Sequence, residues 1–373
     1  MSFWALILQE YKAIFSNKVV VLVVFIGSMV YGLLYPMPYL GDVVSAQKLV
    51  IIDDDKSALS KRLIFLVGAT PQIELLSEVD SLQEAQKLIE SGQAGGALSI
   101  PKGFEKSAQS GVGSVVSYMG NASYFLVYGA IVEGVHNAID ALNDEIRKQK
   151  SHNLLSAQII SYEPIALYNP SLGYINYALA AVLVFILHQT LIAGCGILSA
   201  YQNKLYKRGE RGYFAQVSPL KLLSARVVAF GGIYVCWFLV YFGIFFPLFG
   251  VSVHADLLEF WCFALAFILC CASVGVCLGV CLEDESIPTQ VVFISSMPLV
   301  FLLGFIWPSD LLPEFLQEIA YLVPAFHGVR GFLSLNQMGA DFTSIIGHFL
   351  ALLALGAFSF GIAVWILSRK REG

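Results

Sequence analysis

The stretch YINYALAAVLVFILHQTLIAGCGILSAYQNKLYKRGER, residues 174–211, decides how the whole chain must be read. From Tyr174 to Ala200 it contains no Asp, Glu, Lys or Arg, and Lys204, Lys207, Arg208 and Arg211 then follow in quick succession. An uncharged run of that length crosses the roughly 30 Å hydrocarbon core of a bilayer as an α-helix. A basic cluster at its end marks the side that faces the cytoplasm.

Outward from this stretch the pattern recurs. Six windows are long and apolar enough to span, at approximately 19–36, 174–200, 225–250, 257–282, 287–307 and 345–367. The 373 residues are 57 % hydrophobic and 13 % charged, with a mean hydropathy of +0.72, which excludes an ordinary soluble protein. The net charge of −5 excludes a general affinity for nucleic acid. All seven cysteines lie in apolar stretches and none in 37–172, so no disulfide framework is implied.

Basic residues collect at Lys12 and Lys18, in the loop with Lys204, Lys207, Arg208, Arg211, Lys221 and Arg226, and at Arg369, Lys370 and Arg371. Six spans put the three clusters on one side, so both termini are expected in the cytoplasm and 37–172 outside. Before the first span, Phe3, Trp4, Leu6, Ile7, Leu8, Tyr11 and Ile14 alternate with Gln9, Glu10 and Lys12, the pattern of an amphipathic helix lying along the interface. A cleaved signal peptide ending near the small residues Val44 to Ala46 is the rival reading.

Within the insert, strand-like runs at 48–53, 72–77, 95–100 and 114–119 alternate with helical stretches, which predicts a small α/β domain. Apolar residues at every third or fourth position from Val127 to Ile146 predict a long amphipathic helix. Asp53, Asp54 and Asp55 read as a strand end followed by helix capping rather than a cation site, since no further ligand spacing follows. Asn121-Ala122-Ser123 reads as a turn and cap. The expected organisation is therefore 1–36, an interfacial helix and first span; 37–172, an extracytoplasmic α/β domain; and 173–373, five further spans with a cytoplasmic loop at 201–224 and an outer segment at 308–344.

Motifs for chemistry are absent. There is no Gly-Lys pair and hence no Walker loop for ATP phosphates, and no H-E-x-x-H, Cys-x-x-Cys or G-x-S-x-G, so neither a catalytic nor a metal site is predicted. His188, beside Gln189 and Thr190, is an ionisable group inside a span; it marks either a polar lining of the bundle interior or a proton relay. Gly275 and Gly279 form a small-x-x-x-small pair, for packing within the subunit or against a second copy. Trp307, Pro308, Pro313 and Pro324 interrupt the last third with apolar residues between them, which predicts short re-entrant or interfacial helices on the outer side.

Taken in order, KLVIIDDDKSALSKRL (48–63), GALSIPKGFEK (96–106), NASYFLVYGA (121–130), NPSLGYINY (169–177), RGERGYFAQVSP (208–219), PLVFLLGFIWPSDLLP and VRGFLSLNQMGADF give the chain a likeness to a known family. It resembles the type-2 ABC-transporter permeases of the exporter class, in the branch with a large periplasmic insert after the first span. The resemblance implies a multi-pass protein of the bacterial inner membrane that exports a drug-like, lipid-like or other amphiphilic substrate by alternating access. It implies no cofactor bound by this chain, with ATP and Mg held by a separate ATPase subunit. It also implies a second permease copy or sister permease and a periplasmic membrane-fusion adaptor.

Lys207, Arg208, Glu210, Arg211, Gly212, Ser218 and Pro219 fall on the family's ATPase-coupling loop. Tyr213, Phe214 and Ala215 depart from its usual Thr, apolar and Glu residues, and an ordinary basic loop is the alternative reading. A four-span relative that transmits ATPase strokes to periplasmic partners without transporting is the alternative function.

Overall fold

The computed structural model describes residues 1–39, 44–110, 113–120, 125–150, 169, 173–307 and 309–372. They form two compact units, Met1–Leu40 with Ala166–Gly373, and Gly41–Ile165. In the first unit, α1 (Phe3–Ser16) starts where the Ser2 hydroxyl accepts the Ala5 amide and stops at Asn17. The Asn17 side-chain oxygen then accepts from the amides of Val19 and Val20 and so caps α2 (Lys18–Tyr39).

The second unit alternates strand and helix: β1 (Gln47–Asp53), α3 (Ala58–Gly68), β2 (Ile73–Glu78), α4 (Leu82–Glu90), β3 (Gly96–Ile100), α5 (Phe104–Ser110), β4 (Ser117–Gly120) and α6 (Phe125–Lys150). The sheet order is β2-β1-β3-β4, with β1 parallel to both neighbours and β4 antiparallel to β3. Successive side chains of a strand point to opposite faces. Leu49 and Ile51 therefore enter a core with Leu63 and Val67 of α3 and Ile131, Val135 and Leu142 of α6, while Val50 and Ile52 meet Ala85 of α4.

The aspartate triplet builds turns. Asp53 accepts from the amides of Asp55 and Lys56 and from the Ser60 hydroxyl at 2.7 Å, and Asp55 accepts from the amides of Gly103 and Glu105. No group of three or more metal-binding side chains occurs among the described residues. Asn121, Ala122 and Ser123 lie outside them.

The first unit continues with α7 (Ile175–Lys207), α8 (Pro219–Phe249), α9 (Leu257–Cys281), α10 (Ile287–Leu302), α11 (Glu314–Tyr321), α12 (Pro324–Phe332) and α13 (Phe342–Glu372). Among the described residues, five helices are long and apolar enough to cross a membrane: α2, α7, α8, α9 and α13. The sixth expected segment, 287–307, is helical over only 16 residues. At about 1.5 Å per residue it spans about 24 Å, less than a full hydrocarbon core. Pro298 removes one of its internal hydrogen bonds, and Gly304, at φ +83°, turns the chain away just after its end.

Helix α7 is the axis of the unit, with every residue from Leu179 to Ala200 buried. A lipid-facing helix gains nothing from apolar burial, so close backbone approach and hydrogen bonds hold such bundles together. Gly275 and Gly279 of α9 provide that approach. A Cβ on Gly275 would stand 2.7 Å from the Ile192 carbonyl oxygen, and one on Gly279 would overlap the Gly196 carbonyl and the Ser199 Cβ. On the other flank, Gly328 and Gly331 of α12 take the rings of Phe267 and Phe263, and Phe332 lies with its ring centroid 5.0–5.6 Å from those of Phe238, Phe242, Phe260, Phe263 and Phe267.

Replacing Gly279 by Leu forces α7 and α9 apart, at a cost of about 3 kcal/mol, the upper end of core overpacking. The thermal midpoint of the purified chain should fall clearly, whereas Gly361→Leu, where a Cβ would meet nothing within 4 Å, should leave it nearly unchanged. Equal midpoints for the two variants would remove the packing role.

Candidate functional site

The loop after α7 is built from two kinds of residue. Gly209, at φ +83°, ends the helix, flanked by the exposed side chains of Arg208 before it and Glu210 and Arg211 after it. The Arg211 guanidinium lies 4.1 Å from the centroid of the Tyr206 ring, which holds the turn against the end of α7. A Cβ on Gly212 would crowd the Phe214 ring at 2.7 Å. Tyr213, Phe214 and Ala215 then make one tight helical turn that points inward, with Phe214 buried. Exposed Ser218 precedes Pro219, which opens α8 at a position that needs no amide donor.

Beneath the loop is a buried ion pair. Arg226 of α8 and Glu10 of α1 are 1 % and 0 % exposed, and Arg226 grips the carboxylate with two nitrogens, Nε to Oε2 at 2.8 Å and Nη2 to Oε1 at 3.1 Å. Its Nη1 donates to the Ser199 hydroxyl at 2.9 Å, and its Nη2 also donates to the Gln202 side-chain oxygen, both on α7. The Gln202 amide donates to the Tyr213 hydroxyl, which donates to Glu10 Oε1, each at 2.8 Å. Burial, and then the Glu10 carboxylate, push the Tyr213 phenol above its ordinary range, so it remains a donor at any physiological pH. The circuit joins α1, α7, α8 and the loop with the charged groups and both glutamine atoms paired, the condition under which a buried ion pair is tolerated.

Three further contacts tie the loop's surroundings together. The Asn203 amide bridges the carbonyls of Gly279 and Val280 at the end of α9 and that of Leu282 just beyond it. Lys204 and Lys207 pair with Glu285 and Glu283 at 3.2 and 2.5 Å, and the Lys207 bond holds the Glu283 carboxyl below its ordinary value. From α13, Arg371 donates to the carbonyls of Phe214 and Val217, and Lys370 to that of Val280.

The other residues singled out by sequence lie elsewhere. His188, Gln189 and Thr190 are buried in the middle of α7. Thr190 shares a hydrogen bond with Ser28 of α2 at 3.1 Å, and Tyr241 of α8 donates to the Ser28 carbonyl at 2.6 Å, a polar seam between three spans. His188 stacks on Phe185 and lies tilted beside Phe267, and neither ring nitrogen has a partner among the described residues, so no carboxylate among them accompanies it in a relay.

Between α10 and α12 Trp307 is half exposed, Pro308 lies outside the described residues, Pro313 precedes α11 and buried Pro324 opens α12. Sequence reading missed the pair His327 and His348, whose Nδ1 atoms are 2.9 Å apart, and the Glu10 to Arg226 bond. The one signal for the latter was a carboxylate on an otherwise apolar interfacial helix and an arginine inside a span.

Breaking the circuit from one side should be worse than removing it. Arg226→Met leaves the Glu10 carboxylate buried and alone, a loss of about 3–5 kcal/mol, and Glu10→Leu does the same to the guanidinium. The double variant should recover most of the lost thermal midpoint; a double variant as unstable as the sum of the singles would show that the two groups do not act as a pair.

A family model described as ABC-2 family transporter protein matches residues 18–365, nearly the whole chain. Among curated proteins, the inner membrane transport permeases YhhJ of Escherichia coli (strain K12) and of Shigella flexneri are each 20 % identical over 333 residues, covering 85 % of this chain and 83 % of the relative.

Proposed function

The chain belongs to the ABC-2 family of transporter proteins, and from that premise we propose that it is the membrane-spanning permease of an ATP-driven exporter. Membership makes it a multi-pass membrane protein in a transport role and implies an ABC ATPase partner in general. On our reading the short helix α10 is a sixth span, both termini and the loop 208–218 face the cytoplasm, and the α/β unit stands on the outer side of the inner membrane. The positive-inside distribution of Lys and Arg supports this orientation.

The observation that carries the coupling role is the split character of the loop. Arg208, Glu210 and Arg211 are exposed, while Tyr213 a few residues on is locked into a buried circuit spanning three helices and Phe214 beside it is buried. A displacement of the outer charges by a partner is delivered to α1, α7 and α8 together. ATP and Mg act in the ATPase subunit, whose closing shifts the permease between inward-open and outward-open arrangements only through its differential affinity for them. A second permease subunit completes the pathway, and the outer α/β unit is the natural face for a membrane-fusion adaptor. The likeness to exporter permeases supports a drug-like, lipid-like or other amphiphilic cargo taken from the cytoplasm or the inner membrane.

Co-purification with the ATPase tests the loop. Changing Arg208, Glu210 and Arg211 together to Ser should weaken recovery of a nucleotide-binding subunit about tenfold, the effect of losing a small cluster of interface hot spots. Neutralising exposed Lys12 should not, and full recovery with the triple variant would end the coupling assignment. In a cysteine-free background, Gln93→Cys should react with impermeant reagents added outside the cell; labelling only after the interior is opened would invert the topology.

A further inference from the structure

A cavity of about 420 Å³ lies beside the ion-pair circuit, between the ends of α7, α9 and α13 and the start of α8. Its walls carry Arg226, Lys207, Lys370 and Arg371, with one acid, Glu283, and apolar Phe214, Leu222 and Leu367. Glu10 neutralises Arg226 and Glu283 pairs with Lys207 while also lying within electrostatic reach of Lys370, so among the described residues neither Lys370 nor Arg371 has an ion pair of its own and positive charge is in excess. Their bonds are to main-chain carbonyls, which accept hydrogen bonds but carry no net charge. The Lys370 ammonium uses one of its three donors on Val280, and the buried Arg371 Nε has no partner among the described residues.

A polar recess with an excess of positive charge and an apolar floor, at the basic end of a membrane protein, has the chemistry of an anion site. We propose that this cavity binds a phosphate-bearing anion, held by Lys370 and Arg371 with Lys207 at its rim. The group could be a lipid headgroup or a free phosphate, since both present the same oxygens. The apolar wall of Phe214, Leu222 and Leu367 suits the glycerol and first methylenes of a lipid. Bound there, the anion bridges α13 to the loop turn that carries Phe214, and so adds a ligand-dependent link between the last helix and the loop.

The full chain, held in phosphatidylcholine nanodiscs, is titrated with dioctanoyl phosphatidylglycerol, with dioctanoyl phosphatidylcholine and with inorganic phosphate. Binding is read by native mass spectrometry and by the shift in thermal midpoint. Saturable binding of phosphatidylglycerol alone identifies a lipid headgroup, and binding of inorganic phosphate as well identifies the phosphate group itself. No saturable binding of either overturns the proposal.

Two variants separate recognition from folding. Lys370→Gln keeps a donor for the Val280 carbonyl but loses the charge, and should weaken binding about fivefold; Glu283→Gln removes the one acid among the described residues of the cavity wall and should tighten it about fivefold. A change of the same sign in both, or no change in either, would mean that these side chains only hold helix ends.

Discussion

Everything at the basic end of this protein depends on one bond, the two-pronged grip of Arg226 on Glu10. A fully desolvated ion pair is a poor source of stability, because taking both charges out of water costs about as much as their attraction returns. Its value lies in what it forbids. Neither group can be left alone, so α1 and α8 cannot slide past each other, and Gln202 and Tyr213 cannot turn away without leaving a donor or acceptor unpaired. The circuit therefore makes one rigid piece of α1, α7, α8 and a loop turn.

The remainder of the helical unit is held by means suited to lipid. Where apolar burial offers no drive, glycines let α9 and α12 approach their neighbours, and a cluster of phenylalanines around Phe332 fills the space they create. Hydrogen bonds are spent sparingly: the Ser28, Thr190 and Tyr241 seam joins three spans near their middle, while α2 and α13 expose most of their length. The most tightly held helix is α7 and the least covered are α2, α10 and α13, whose outward faces present Phe293, Ile294 and Met297 among others. In a bilayer those faces meet lipid or another subunit.

Sequence made the helical membrane character legible because uncharged length and basic flanks are one-dimensional signals. Strand and helix alternation in the insert was legible for a similar reason: β1 is a continuous apolar run because both its faces are covered. Span number was harder. The apolar run at 287–307 continues past Gly304, but a backbone at positive φ ends the helix while the side chains stay apolar, so hydropathy overstates its length.

For the site, the exposed charges of the loop could be found from spacing, whereas the Glu10 to Arg226 bond joins positions 216 apart and leaves no local trace. Hydropathy even misassigns its members: Glu10 reads as the polar face of an interfacial helix, yet it is the fully buried residue, and Trp4, 76 % exposed, is the one turned outward.

The departure of the loop from the common pattern of the permeases it resembles then acquires a physical reason. A tyrosine at position 213 reaches, through its hydroxyl, a carboxylate on α1 that a shorter hydroxyl side chain on the same backbone would not reach, and its ring packs edge-on beside Phe214 at 5.9 Å. Phe214 in turn offers its carbonyl to Arg371, so the two aromatic residues bind the loop to two different helices, Tyr213 to α1 through a side chain and Phe214 to α13 through the main chain. A loop fastened at both points cannot absorb a push by bending. Force applied to Arg208, Glu210 and Arg211 would pass into α1, α8 and α13, the mechanical property on which the proposed coupling rests.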